Sequence, residues 1–117
     1  MLHYKDLTKE QKEKICNGCG SKGGFLNPPE FLFHASCNHH DFLYWRGGSE
    51  EDRKRADEDF YRYMQLDAVN EDNPIIRSLY ELNAWLYYEA VRLFGAKYFY
   101  YTDTKRDIEE LKKLMEK

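Results

Sequence analysis

The chain has 117 residues, a formal net charge of −3 and three cysteines, and a third of its residues are charged. That length holds one core, so a single domain over residues 1–117 is expected. The acidic balance argues against a nucleic-acid protein and against attachment to membranes by charge alone, and no apolar run is long enough to be transmembrane.

Thr8-x-x-Gln11 has the form of a capping box and predicts a short helix through Ile15. Asn17 to Pro29 reads N-G-C-G-S-K-G-G-F-L-N-P-P. Its glycines let backbone groups approach a ligand closely, although the same composition makes an ordinary surface loop. Glu30 to Phe33 leads into a helical hairpin that occupies Ala35 to Met64. Gly47 and Gly48 end its first arm, Ser49 caps the second, and Glu50, Glu51 and Asp52 favour the positive end of that helix dipole. So short a turn forces the arms antiparallel.

Gln65 to Asp72 is expected to be a polar connection. Asn73-Pro74 starts a helix that runs to about Phe94 and stops at Gly95. Ile76, Leu79, Tyr80, Leu86, Tyr87, Ala90 and Phe94 recur on it at helical spacing and are assigned to the core. Tyr98 to Tyr101 has strand-like composition but no partner strand, so it is read as extended or a turn. Asp103 or Thr104 is placed as the cap of a last helix carrying Ile108, Leu111, Leu114 and Met115. The fold class is all-α, with the hairpin packed against further helices.

Folding the hairpin at Gly48 brings His40 opposite Ala56-Asp57. His40 shares a face with Cys37 and Tyr44, and Asp57 shares one with Phe60, Tyr61 and Met64. An acid on that buried stripe needs a partner, and register favours Asp57 over Asp52 and Asp59. A histidine held by a buried carboxylate is fixed in tautomer and strengthened as a base. Asp41 points about a quarter-turn away, where a carboxylate beside a glycine-rich loop offers the oxygen ligands that Ca²⁺ takes. His39 lies off this face and is expected to be exposed. Base and cation together suit hydrolysis: one activates water and the other polarises a carbonyl. Cys16, Cys19 and Cys37 allow one disulfide with a free thiol, three thiols, or a metal site.

Cys37-Asn38-His39-His40-Asp41-x-x-Tyr44 resembles the C-x-x-H-D-x-x-Y active-site helix of the secreted phospholipase A2 superfamily. Asn17 to Gly24 looks like its calcium loop, and Ala56-Asp57-x-x-Phe60 is similar to its second long helix. The nearest flavour is the divergent group XII-like and prokaryotic type. The resemblance implies Ca²⁺-dependent hydrolysis of the sn-2 acyl ester of glycerophospholipids at a membrane or micelle interface. His40 would be the base, Asp57 its orienting partner and Tyr44 a supporting hydroxyl. Asp41 would bind Ca²⁺ with the carbonyls of Gly18, Gly20 and Lys22. Cys19–Cys37 would be the disulfide joining loop to helix, and Phe25, Leu26, Phe31, Leu32 and Phe33 the lip of an acyl channel. The chain departs from the family in three ways: two residues separate Cys19-Gly20 from Gly23-Gly24 where one is usual, Ser36 stands where a cysteine is usual, and no cysteine follows residue 37.

Three other readings compete. His40 and Asp57 also make sense as a satisfied core pair. Cys16-x-x-Cys19 with Cys37 and His39 or His40 has the make-up of a zinc knuckle, which implies a structural or interaction module. A catalytically silent phospholipase-like domain would bind calcium or lipid without turnover. No signal peptide opens the chain, which implies a secreted protein if this is a mature fragment and a cytoplasmic one otherwise.

Overall fold

The structure, a computed structural model, describes residues 1–16 and 30–116, apart from the side chains of 30–32 and 34. The chain is all-α: the described residues hold five helices and no strand. Helix α1 (Lys9–Ile15) opens as expected, with the Thr8 hydroxyl accepting from Gln11 N at 3.2 Å and the Gln11 side chain accepting from Thr8 N at 2.8 Å.

Helix α2 (Glu30–Arg46) is kinked at Phe33, so the arm that carries His40 starts beyond that residue. The chain then reverses at Gly47 (φ 80°) and Gly48 (φ 140°), conformations that side-chain-bearing residues rarely adopt. Space demands glycine too, because a Cβ at 47 would strike Tyr100 and one at 48 the Asp52 carboxylate. Ser49 caps helix α3 (Glu50–Val69) in a second capping box, accepting from Asp52 N at 3.2 Å. The arms run antiparallel, with Ser36 Oγ donating to Asp67 Oδ2 at 3.0 Å near one end and His40 meeting Asp57 near the other.

Helix α3 continues five residues beyond Met64, through a stretch expected to be a connection. Gln65, Leu66 and Asp67 form the exposed side of its last turns, while Ala68 is fully buried. An outward helical face had the composition of a loop.

Asn73 caps helix α4 (Pro74–Phe94) by accepting from Ile75 N and Ile76 N at 2.9 and 3.2 Å. Its inner face, Ala84, Tyr87 and Val91 with Tyr80 at the margin, packs on Phe33, Cys37, Phe60 and Met64. This corrects the expected stripe. Of the residues assigned to the core, Tyr87 is buried, Tyr80 and Ala90 are half-buried, and Ile76, Leu79, Leu86 and Phe94 are exposed. The apolar residues of α4 spread over more than half of its circumference, so periodicity alone could not choose the face that meets α3.

A 3₁₀ turn, Gly95–Tyr98, follows directly. Gly95 has φ −73°, open to any residue, but a Cβ there would collide with the Tyr44 hydroxyl. The next segment is extended, as its composition suggested, and crosses the hairpin turn. Tyr100 N donates to Tyr44 O at 3.2 Å, Gly48 N to Tyr100 O at 3.0 Å and Thr102 N to Gly48 O at 3.0 Å. Asp103 and Thr104 belong to this crossing, so helix α5 (Ile108–Met115) begins later than expected, capped by Asp107. Leu111 on α5 closes a second core with Leu2, Leu7, Ile15 and Phe42. No helix is long and apolar enough to cross a membrane among the described residues.

Candidate functional site

Helix α2 presents Cys37, His40 and Tyr44 on one face, and α3 answers with Arg53, Ala56, Asp57 and Phe60. Asp57 is fully buried. A lone carboxylate so placed would cost several kcal/mol in desolvation, roughly as much as a mutation that strips a buried pair. Its two oxygens divide the compensation. Oδ1 lies 2.8 Å from His40 Nε2 and accepts from the Tyr44 hydroxyl at 2.7 Å. Oδ2 accepts from Arg92 Nη1 at 2.7 Å and lies 3.5 Å from Arg53 Nη1. One oxygen positions the imidazole, and the other is neutralised by guanidinium groups.

The network extends beyond this carboxylate. Arg53 is buried and also donates to Glu50 Oε1 at 2.9 Å and to Val91 O at 3.1 Å, while the Tyr101 hydroxyl donates to Glu50. Burial works against the Arg53 charge, but hydrogen bonds with Glu50 and Tyr44 outweigh it and hold its pKa above the ordinary value. Burial, reinforced by the Asp57 charge, raises the Tyr44 hydroxyl, so it remains a donor across the physiological range. The Arg53 hydrogen bond, then that of Tyr101, keeps Glu50 below the usual carboxylate range.

The His40 ring sits between Tyr44 and Phe60, with centroids 4.2 and 4.5 Å away. With Asp57 accepting from Arg92 and Tyr44, Nε2 of a neutral His40 carries the proton and donates to Oδ1. Nδ1 is then the nitrogen with a lone pair. The arrangement supplies an oriented base.

Sequence reading brought His40, Tyr44 and Asp57 together and missed Arg53 and Arg92. Arg53 had a readable signal, standing one turn before Asp57 on the same helix face. Arg92 had none, because it arrives from α4.

Asp41 is half-buried on the neighbouring face of α2. It lies near Cys16, whose thiol is pushed up to about 12 by burial, with the Asp41 charge adding to the effect. Cys16 is a free thiol that donates to Asn38 O at 3.1 Å and seats the end of α1 on α2. Gly18, Cys19, Gly20, Lys22, Phe25 and Leu26 lie outside the described residues, as does the expected Cys19–Cys37 bond. The side chains of Phe31 and Leu32 are also outside them. Phe33 is enclosed in the core, edge-on to Tyr87. Among the described residues no three His, Cys, Asp or Glu side chains gather as a metal site.

His39 departs from expectation. It is half-buried, edge-on to Tyr4 at 5.7 Å and to Tyr63 at 5.3 Å, and burial lowers its pKa. Tyr4 comes from the N-terminal segment, which helical periodicity within α2 cannot reveal.

Neither a family model, nor a curated protein, nor a solved structure matches this chain.

Proposed function

We propose that the chain is a phospholipase A2-like, Ca²⁺-dependent hydrolase of the sn-2 acyl ester of glycerophospholipids. The observation that carries this reading is the buried His40 Nε2–Asp57 Oδ1 pair, 2.8 Å long and braced by Tyr44. His40 Nδ1 takes a proton from water as the water oxygen attacks the ester carbonyl carbon. Asp57 stabilises the imidazolium that forms and keeps the ring from rotating. The same nitrogen then returns the proton to the departing glycerol oxygen, leaving fatty acid and lysophospholipid. Arg53 and Arg92 place positive charge against the other oxygen of Asp57.

Asp41, with backbone oxygens of Gly18, Gly20 and Lys22, would hold the calcium ion; when bound it supplies a Lewis acid for the carbonyl oxygen. Support comes from the place of Asp41 beside Cys16, where the glycine-rich segment begins. Cys19 lies three residues beyond Cys16, a reach of about 10 Å. Because Cys16 touches Asn38, that reach makes the Cys19–Cys37 tie feasible. Phe25, Leu26, Phe31 and Leu32 would contact the acyl chain.

The zinc-knuckle reading has less support. The Cys16 thiol donates to a backbone carbonyl, and His40 Nε2 is already engaged by Asp57. A silent binding domain would share all this geometry and is separated by turnover.

The test is fatty-acid release from phospholipid mixed micelles, with and without a calcium chelator. Wild type should release fatty acid, and the chelator should abolish it. His40→Gln should lower release by at least ~10²-fold while the melting curve changes little. Equal release by the two proteins would sink the catalytic assignment, and stoichiometric zinc in the purified chain would favour the knuckle.

A further inference from the structure

On the side of α4 turned away from α3, Ile75, Leu79, Leu82, Leu86 and Leu93 are 75, 55, 52, 46 and 72% exposed. Their spacing alternates four and three residues, the heptad pattern of a helix seam, with Glu89 at the one position not filled by an aliphatic residue. Helix α4 therefore has two apolar faces: one meets Phe60 and Met64, and the other meets nothing described. With its apolar flanks, the outer face exposes on the order of 800 Å², about what each partner gives to a standard interface and more than a monomer usually leaves bare.

We propose that this seam joins two copies of the chain through antiparallel α4 helices. Of the six positions beside the seam, Ile76, Ser78, Asn83, Trp85 and Ala90 are uncharged and Arg92 is drawn onto Asp57, so two copies can close without like-charge rows. A helix lying on a lipid surface carries Lys and Arg along its polar face to reach headgroups. Here Arg92 is committed to Asp57 and Arg77 to Glu71 O. Glu89 sets the direction. A parallel pair would stack the two Glu89 carboxylates in one layer. An antiparallel pair crossing level with Ala84 sets each Glu89 beside Leu79 of the second copy, Leu82 beside Leu86, and Ile75 beside Leu93. The contact is two-fold and closed, which limits assembly to a dimer.

The experiment is light scattering on the full chain after size exclusion, up to about 100 µM. Wild type should give twice the 14.1 kDa chain mass. Leu82→Glu with Leu86→Glu should give the single-chain mass with unchanged helical circular dichroism, since both side chains already face water. Under oxidation, Leu79→Cys with Glu89→Cys should cross-link the copies and Leu79→Cys alone should not. Linking by Leu79→Cys alone would overturn the antiparallel arrangement. A wild type that stays monomeric overturns the proposal. If that monomer sediments with phosphatidylcholine vesicles, the face belongs to lipid instead. A dimer that survives both glutamates overturns it equally. None of these readouts depends on hydrolysis.

Discussion

Along the inner face of α3 a carboxylate and a guanidinium are sealed from water, while on the outer face of α4, one helix away, leucines stand in it. Each side reverses the usual preference for apolar interiors and polar surfaces. The inner inversion is compensated within the chain, since Asp57 is met by His40, Tyr44, Arg53 and Arg92. The outer one has no such partner among the described residues. Buried charge is tolerable where its contacts come from the same fold, whereas exposed aliphatic area asks for something outside it.

The largest effect should follow from removing the inner charge. Asp57→Ala removes the buried acceptor shared by His40, Tyr44 and Arg92 and should cost about 3–5 kcal/mol, read as a fall in the urea midpoint. A loss under about 1 kcal/mol would mean that the network is wet and the contrast false. Gly95→Ala leaves every charge in place but displaces the Tyr44 hydroxyl from Asp57. It should cost about 1–3 kcal/mol and lower ester hydrolysis along with stability.

Acidification acts on groups outside the Asp57 carboxylate. Burial holds the His39 pKa below its usual value, so its contribution is complete above about pH 6.5 and fades as the pH falls toward the folded value. Glu50, lowered by the Arg53 hydrogen bond, and Asp52, lowered by the Ser49 backbone N–H, lose theirs further down, below about pH 4. The melting temperature should therefore decline in two stages between pH 7 and pH 2, and Asp52→Asn should flatten the lower one. The smallest effect belongs to the outer face. Leu79→Gln should change the stability of the separated chain by no more than about 0.5 kcal/mol, measured in dilute solution by thermal melting.

What the sequence disclosed follows the same division. The caps at Thr8, Ser49 and Asn73 and the pairing of His40 with Asp57 were legible, because each depends on residues within one helix or one short turn. Arg92 was not, since its partnership depends on how α4 docks, nor was the half-buried state of His39, which Tyr4 creates from across the chain. The start of α5 was misplaced because residues 103 and 104 belong to the crossing over the hairpin bend, held there by backbone bonds such as Thr102 N to Gly48 O. The face of α4 was misassigned because both of its sides are apolar, and packing rather than pattern decides between them.

Arg92 reaches Asp57 from α4 and lies 35 positions beyond it in the chain. During folding, the hairpin on its own holds that carboxylate with only one of its two guanidinium partners, so water must stay until α4 arrives. Drying of the His40 pocket and docking of α4 are then a single cooperative step. Fluctuations that lift α4 rehydrate the pair, and the dry His40–Asp57 geometry exists only in the fully assembled molecule.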